Sequence, residues 1–162
     1  MTPTIPVRRA ESIADDIENN RLRILERAYD LFLETGETPG KDLDHWLTAE
    51  RELVWTPAIE LREENDEFKL TIAAAGIDAK DLKVQATAED LLVKGETRHD
   101  HEEDKGTIHI SEIRTGSLFR VIHLPRPIDP SKVKATFSNG VLLVTAPIAA
   151  ESQAQKAKGE AA

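Results

Sequence analysis

Short runs of alternating apolar and polar residues fill the chain beyond residue 55, and this alternation predicts β-strands. In one run, Phe68, Leu70 and Ile72 alternate with Lys69 and Thr71. The runs lie at 59–62, 68–72, 82–86, 91–93, 118–124, 133–137 and 141–144. Because these runs are short and no long helix separates them, they predict an antiparallel sandwich rather than a parallel α/β sheet.

Before residue 55 the apolar residues recur at helical intervals. Ile13, Ile17 and Ile24 predict a first helix, in which the two asparagines at 19–20 predict a break. A second helix, with Asp42 as its candidate cap, has four apolar positions on one side: Leu43, Trp46, Leu47 and Leu53. The two helices predict an antiparallel hairpin, which is too small to hold a large core and needs a partner surface.

The pair Asn139-Gly140 joins the last two runs and predicts a tight hairpin, because both residues tolerate positive φ. The run after the pair, 141–144, is apolar on both faces, which predicts a strand more buried than its neighbour. The run before it has a single apolar face, formed by Val133, Ala135 and Phe137.

Composition restricts the function. The 162 residues carry a formal net charge of −9, and their basic residues are dispersed among acids, so we expect no nucleic-acid partner. No run reaches the roughly 18 consecutive apolar residues of a membrane span, so we expect no membrane partner. The absence of cysteine excludes disulfides and thiolate chemistry. We predict a soluble, cytoplasmic protein.

No motif indicates catalysis or a cofactor, and we predict that the protein is not an enzyme. The glycines stand singly at turns and form no phosphate-binding pattern. His109 and His123 have no serine or aspartate at a catalytic spacing, and we interpret them as structural. His99 and His101 are two residues apart and could bind a divalent metal, but a solvated charged loop is the commoner explanation, and we predict no metal site.

Ala135 followed by Asn139-Gly140-Val141-Leu142 and then a strand and Pro147 resembles the signature that closes the α-crystallin domain of small heat-shock proteins. Three upstream segments fall in the same family order, at 75–84, 91–96 and 116–125. The resemblance covers residues 55–147 and implies an immunoglobulin-like antiparallel β-sandwich.

Two residues depart from the family pattern. Ala75 stands where the family commonly has proline, and Leu143 where a polar residue is frequent.

Residues 20–54 resemble a short helical domain of unknown function known from bacterial proteins, which implies no activity. We therefore predict a mainly β protein with four parts: a disordered N-terminus at 1–10, a helical hairpin at 11–54, the α-crystallin domain at 55–147 and a flexible tail at 148–162.

The family resemblance implies an ATP-independent chaperone that holds partly unfolded client proteins and suppresses their aggregation. A sandwich can accept the apolar side chains and strand edges of a client in a groove between its own edge strands. Our candidates for lining that groove are Leu82, Val84, Ala86, Val133, Ala135 and Phe137. Two alternatives stay open: a dimeric adaptor or co-chaperone-like protein whose helical hairpin binds a dedicated partner, and a metal-binding stress protein that uses the two histidines at 99 and 101.

The resemblance also implies a homodimer. In bacterial and plant members, the segment between the fifth and seventh family strands pairs with the neighbouring subunit, and here that segment contains Thr107, Ile108, His109 and Ile110. Arg120 shares its strand face with apolar residues, where a charge is costly unless it is paired. We expect Arg120 to pair with a carboxylate, to lie at a subunit interface, or to reach water from an edge position.

The C-terminal tail indicates whether dimers can join into larger assemblies. Members of the family commonly carry an Ile-x-Ile or Ile-x-Val motif there, whose two side chains dock into the groove of a neighbouring dimer. Only Ile148 follows Pro147 in this chain, so the second anchor is missing. We expect a dimer or small oligomer whose assembly does not depend on the tail.

Overall fold

A computed structural model describes residues 3–97, 106–112 and 116–150. Single 3₁₀ turns lie at Ala79–Asp81 and Pro130–Lys132. In chain order the other elements are β1 (Thr4–Ile5), β2 (Val7–Arg9), α1 (Ala14–Glu34), α2 (Asp42–Leu53), β3 (Val54–Trp55), β4 (Ile59–Glu64), β5 (Glu67–Ala73), β6 (Leu82–Ala86), β7 (Asp90–Glu96), β8 (Ser117–His123), β9 (Lys134–Ser138) and β10 (Val141–Pro147).

The strands form two sheets that enclose one apolar core, which confirms the predicted sandwich. The first sheet has the strand order β1-β9-β10-β5-β4, and the second has the order β2-β6-β7-β8-β3. Among the described strands, the pairings are antiparallel except those of β2 with β6 and of β3 with β8, which are parallel. The two predicted helices precede the sandwich.

Alternate residues of the central strands build the core. Leu70 and Ile72 on β5 are fully buried, and they lie opposite Val144 and Leu142 on β10. The intervening residues of β10 point the other way, and Val141 and Leu143 each keep 40% of their surface exposed. The prediction that 141–144 is more buried than the strand before it is confirmed, since β10 has three buried side chains and β9 has one, although the outer face of β10 meets solvent.

The N-terminus is ordered where the sequence predicts disorder. Residues 4–9 form β1 and β2, and Ile5 is only 2% exposed. Ile5 pairs with Ala135 at the edge of the first sheet, and Val7 pairs with Val84 at the edge of the second. Tertiary contacts order this segment, since the two sheet edges supply the hydrogen-bond partners and the apolar surroundings that its own sequence cannot.

The helical hairpin has a small core of its own. Ile24 and Ala28 on α1 pack with Ala49 on α2, and Arg27 donates a 2.7 Å hydrogen bond to Glu52 across the pair. The Glu52 hydrogen bond, with a second to a glutamate at 34, raises the pKa of the Arg27 guanidinium. These contacts run between antiparallel helices, as predicted.

Two details of the hairpin differ from the prediction. Helix α1 continues through the asparagines at 19–20, because asparagine costs an exposed helix position only a fraction of a kcal/mol (about 0.7 or less). On α2, Leu43 and Leu47 point to solvent, whereas Trp46 and Ala49 face α1. The spacing of apolar residues identified the helix but not which of its sides is buried.

The hairpin is held against the second sheet by contacts along its length. Near the start of α1, the Asp16 carboxylate accepts a 2.6 Å hydrogen bond from the Lys94 ammonium on β7. At the end of α2, the backbone lies so close to Gly116 that a Cβ there would stand 2.6 Å from the Leu53 carbonyl oxygen. This contact leaves room only for glycine before β8.

The sandwich ends two residues later than predicted. Ile148 is buried in the core, and its N–H donates to the Asp66 carbonyl at 2.9 Å. The Ala149 N–H donates to the Pro127 carbonyl at 3.0 Å. Residues 148–149 therefore belong to the sandwich rather than to the tail, and Ile148 is not available as a docking anchor.

The Asn139-Gly140 turn is the tight hairpin that the sequence predicts. Asn139 has φ 53° and Gly140 has φ 77°, and the flanking Ser138 and Val141 pair directly. A Cβ on Gly140 would also stand 3.1 Å from the Ala75 side chain. The turn therefore needs glycine both for its backbone conformation and for its close approach to Ala75.

We expect Gly140→Val to lower the free energy of unfolding by about 2 kcal/mol, because a β-branched residue is strained at positive φ. For a chain of this length, that loss corresponds to a fall in melting temperature of roughly 4–8 °C. Ser138→Val is the matched control, since Ser138 is exposed on the strand of the same hairpin. If the two variants melt at the same temperature, our inference that the turn requires glycine at position 140 is wrong.

Candidate functional site

The six predicted groove residues lie together at one side of the sandwich. Leu82, Val84 and Ala86 lie on β6 in the second sheet, and Ala135 and Phe137 lie on β9 in the first. All of these except Phe137 are buried in the common core, as is Val133 just before β9. Phe137 is half-buried and packs against that core. The structure therefore brings the six residues together.

This side of the sandwich is occupied by the chain itself. We call residues 3–10 the N-terminal segment. It crosses from the edge of β9 to the edge of β6, with the apolar side chain of Ile5 inside the core and that of Val7 against it. At its ends, the Phe137 N–H donates to the Pro3 carbonyl at 3.0 Å and the Ala10 N–H donates to the Ala86 carbonyl at 2.9 Å.

A groove of about 660 Å³ remains beside the N-terminal segment. One wall is the segment itself, from Thr4 to Arg8, and the other is β6 together with Lys80 and Lys94. The groove is thus bordered by strand backbone, apolar side chains and a few cations. Such a surface suits an extended polypeptide better than a small molecule.

Sequence reasoning missed Ile5 and Val7, although a signal is present. In Ile5-Pro6-Val7 one β-branched residue precedes the proline and one follows it, and this pattern favours extended backbone. It is also an Ile-x-Val pattern, like the one that members of the family carry in the tail. The pattern spans three residues among prolines and arginines, so alternation alone could not identify it as a strand.

The predicted dimer segment lies outside both sheets. Thr107, Ile108, His109 and Ile110 are exposed, and Ile110 retains 83% of its surface in solvent. Within the described residues, no strand pairing includes this segment. A stretch with two exposed isoleucines is therefore available to a neighbouring chain.

Arg120 faces the interior side of the second sheet, as the sequence predicts. It lies opposite Val93 and between Leu118 and Ile122 on the same face of β8, and it is half-buried. No carboxylate of the described residues forms an ion pair with it. The charge is thus partly removed from water without a partner in the described part of its own chain.

The hairpin keeps an apolar stripe in solvent. Four side chains at successive turns of α1 are about half exposed: Leu22, Leu25, Tyr29 and Leu33. Their spacing puts them on one side of the helix, away from the buried Ile24 and Ala28. This stripe is a second surface at which another protein could bind.

The described residues give little support for a metal site or a membrane-spanning helix. His99 and His101, on which the metal hypothesis depends, lie outside the described residues. In the described ranges, no three His, Asp or Glu side chains form a group that could hold a metal ion. Neither described helix is long and apolar enough to cross a membrane.

Two families of known sequence match this chain in adjacent regions. The Hsp20/alpha crystallin family matches residues 60–159, and a family of unknown function (DUF2934) matches residues 22–54. Heat shock protein 16 of Schizosaccharomyces pombe is 33% identical over 103 residues, which cover 62% of this chain and 72% of that protein. The 17.4 kDa class I heat shock protein of Arabidopsis thaliana is 31% identical over 125 residues, which cover 75% of each.

Solved structures agree with these matches. Heat shock protein 16.0 from Schizosaccharomyces pombe superposes with a TM-score of 0.54 at 31% identity, covering 58% of this chain and 87% of that one. A small heat-shock protein from Xylella fastidiosa superposes with a TM-score of 0.53 at 32% identity, covering 59% and 88%. Since the sandwich, its closing hairpin motif and more than half of the residues match, this chain belongs to the Hsp20/alpha crystallin family of small heat-shock chaperones.

Proposed function

We propose that this protein is an ATP-independent holdase that binds partly unfolded proteins in the cytoplasm and suppresses their aggregation. The observation that carries the proposal is the side of the sandwich between β6 and β9. There the protein binds an extended apolar segment, its own N-terminus, by strand pairing on two edges and by burial of Ile5. An unfolding client exposes segments of the same chemistry.

The charge of the chain supports this role. A net charge of −9 keeps a complex with an apolar client from associating further, because like-charged complexes repel one another. The lack of cysteine suits the reducing cytoplasm, where disulfides are rare. The charge thus favours a protein that remains dispersed while it holds an aggregation-prone partner, and the lack of cysteine is compatible with the cytoplasm.

We expect the purified chain to suppress the light scattering of a heated client protein at about one chain per client, with no change when ATP is added. Holding requires only that the client's apolar segments be covered, so no nucleotide is needed. The control is an unrelated folded protein of similar size and net charge, which should not suppress scattering. Unchanged client aggregation would contradict the holdase proposal.

A dimeric adaptor is the second candidate, and the exposed stripe on α1 favours it. Leu25 and Tyr29 could seat a dedicated partner, as apolar helix faces commonly do. An adaptor of this kind would fail in the scattering measurement with general clients. The same measurement therefore distinguishes the two functions.

We further propose that residues 107–111 join a second copy of the chain in a strand-exchanged homodimer. Ile108 and Ile110 are exposed in the single chain, and burying each against a partner would contribute about 2 kcal/mol. In a two-fold dimer the exchange is reciprocal, so each copy gives and receives the same segment.

Deleting residues 99–111 should convert the dimer to a folded monomer, because the exchanged isoleucines are lost. Size-exclusion chromatography with light scattering measures the mass, and circular dichroism checks the fold. The full-length variant with Ile108→Ser and Ile110→Ser should shift in the same direction without shortening the loop. A deletion protein that remains dimeric would rule out the exchange.

Arg120 gives a second test of the dimer. If a carboxylate of the neighbouring subunit pairs with it, Arg120→Gly leaves that carboxylate unpaired, and we expect about a tenfold or greater weakening of dimer affinity. Arg62→Gly is the matched control, since Arg62 also lies on a strand but pairs with Glu60 in full solvent. Equal dimer affinity for wild type and the Arg120 variant would support the edge position that reaches water.

A further inference from the structure

We propose that the cleft between helix α1 and the second sheet binds a small phosphorylated molecule, whose phosphate group links the helical hairpin to the sandwich. We call this cavity the junction cleft, and its volume of about 760 Å³ lies within the range of small-molecule sites. Residues of α1 between 16 and 23 line one side, and residues of β6, β7 and β8 line the other. The junction cleft therefore exists only while the hairpin lies against the sheet.

The junction cleft gathers cations from parts of the chain that are far apart in sequence. Four cationic side chains line it: Arg23, Lys80, Lys83 and Lys94. Three acidic side chains line it as well: Asp16, Asp81 and Glu96. Cations therefore outnumber acids here, although the whole chain carries a net charge of −9. A cleft with an excess of positive charge raises the local concentration of anions.

Two of these cations oppose each other directly. Lys83 on β6 pairs with Lys94 on β7 in the register of the sheet, and like charges at such positions destabilise a sheet. The Asp16 carboxylate neutralises Lys94 at 2.6 Å. Lys83 forms no ion pair with any residue that the structure describes. A second anion beside Lys83 would do for it what Asp16 does for Lys94.

Arg23 lines the junction cleft from the hairpin. Its guanidinium donates a 3.4 Å hydrogen bond to the Ser117 hydroxyl on β8, so the side chain reaches across to the sheet. This bond uses one of five N–H donors, and Arg23 has no ion-pair partner in the described part of the chain. The guanidinium fork matches two oxygens of a phosphate group, and a lysine ammonium adds a point charge.

The remaining lining suits the rest of a small organic molecule. The asparagine amides at 19 and 20 can donate hydrogen bonds to further oxygens, and the half-buried Phe119 offers an apolar surface. A nucleic acid is a poor candidate, because the net charge of the chain repels its extended backbone. The chemistry of the junction cleft therefore indicates a small molecule with a phosphate group.

A phosphate held by Arg23 on one side and Lys83 on the other would join the hairpin to the sandwich a second time, beside the Asp16–Lys94 pair. A ligand that binds only the folded protein stabilises it. At about ten times its dissociation constant, we expect such a ligand to raise the melting temperature by roughly 3–6 °C.

The test is isothermal titration calorimetry of the full-length protein with pyrophosphate at constant ionic strength. We expect one site per chain. Arg23→Gln and Lys83→Gln should each weaken its affinity about tenfold, because each removes a charge that meets the phosphate. Both side chains are exposed, so both variants should fold, and circular dichroism checks that they do.

Two substitutions with the same loss of charge are the controls. Arg8→Gln matches Arg23→Gln, since Arg8 is also exposed but lies outside the junction cleft. Lys134→Gln matches Lys83→Gln, since Lys134 is an exposed strand lysine of the first sheet. Both controls should bind pyrophosphate like the wild type. Citrate presents carboxylates in place of phosphates and should bind the wild type at least about tenfold more weakly.

Hydrogen exchange tests the link between hairpin and sheet. Pyrophosphate should slow the exchange of the α1 amides in the wild type but not in Lys83→Gln, because only the wild type can hold the phosphate from both sides. Faster exchange of α1 would mean that the anion displaces Asp16 from Lys94, and it would contradict the proposed link.

No binding of pyrophosphate at millimolar concentration would overturn the proposal. Citrate binding of equal affinity, or equal losses in the test and control variants, would overturn it as well. None of these measurements uses a client protein, so a failure of the holdase function leaves their outcome unchanged.

Discussion

The rest of this sandwich depends on how its exposed edge strands are covered. Two packed sheets leave edge strands with unsatisfied backbone groups and a margin of the apolar core, which must be covered or left in water. In this chain the N-terminal segment covers the side between β6 and β9, and Ile5 completes the core there. The side of the sandwich that we propose as the client site is thus a side that the fold itself covers.

The helical hairpin depends on the same sandwich. Its own core has only three buried side chains, Ile24, Ala28 and Ala49, with three partly buried ones packed against them, which is too little for a stable independent unit. The Asp16–Lys94 pair and the close contact at Gly116 attach it to the second sheet.

Two features near the second sheet stay unpartnered within the described residues. Arg120 is half-buried on the interior side of β8, and the isoleucines at 108 and 110 lie in solvent on a segment outside both sheets. A charge partly removed from water and apolar side chains left in water are both unfavourable, which is the physical basis of the homodimer that we propose. The outer face of the first sheet needs no such cover, since single exposed apolar residues such as Val141 are ordinary.

The sequence by itself determined the elements and the fold class. Alternation predicted the strands, helical spacing predicted the hairpin, and Asn139-Gly140 predicted the turn that the structure contains. These signals are local, because strand and helix periods and positive φ act over a few residues. The motif around the turn was also sufficient to indicate the family.

Only the tertiary structure decided which surfaces are covered. The order in residues 4–9 comes from two strand edges more than seventy positions away in the chain, so nothing in Ile5-Pro6-Val7 alone could distinguish it from a flexible end. The same is true of the buried side of α2 and of the inclusion of Ile148 in the core. Burial and edge pairing depend on residues distant in sequence, and a local pattern contains no information about which of its possible partners will be present.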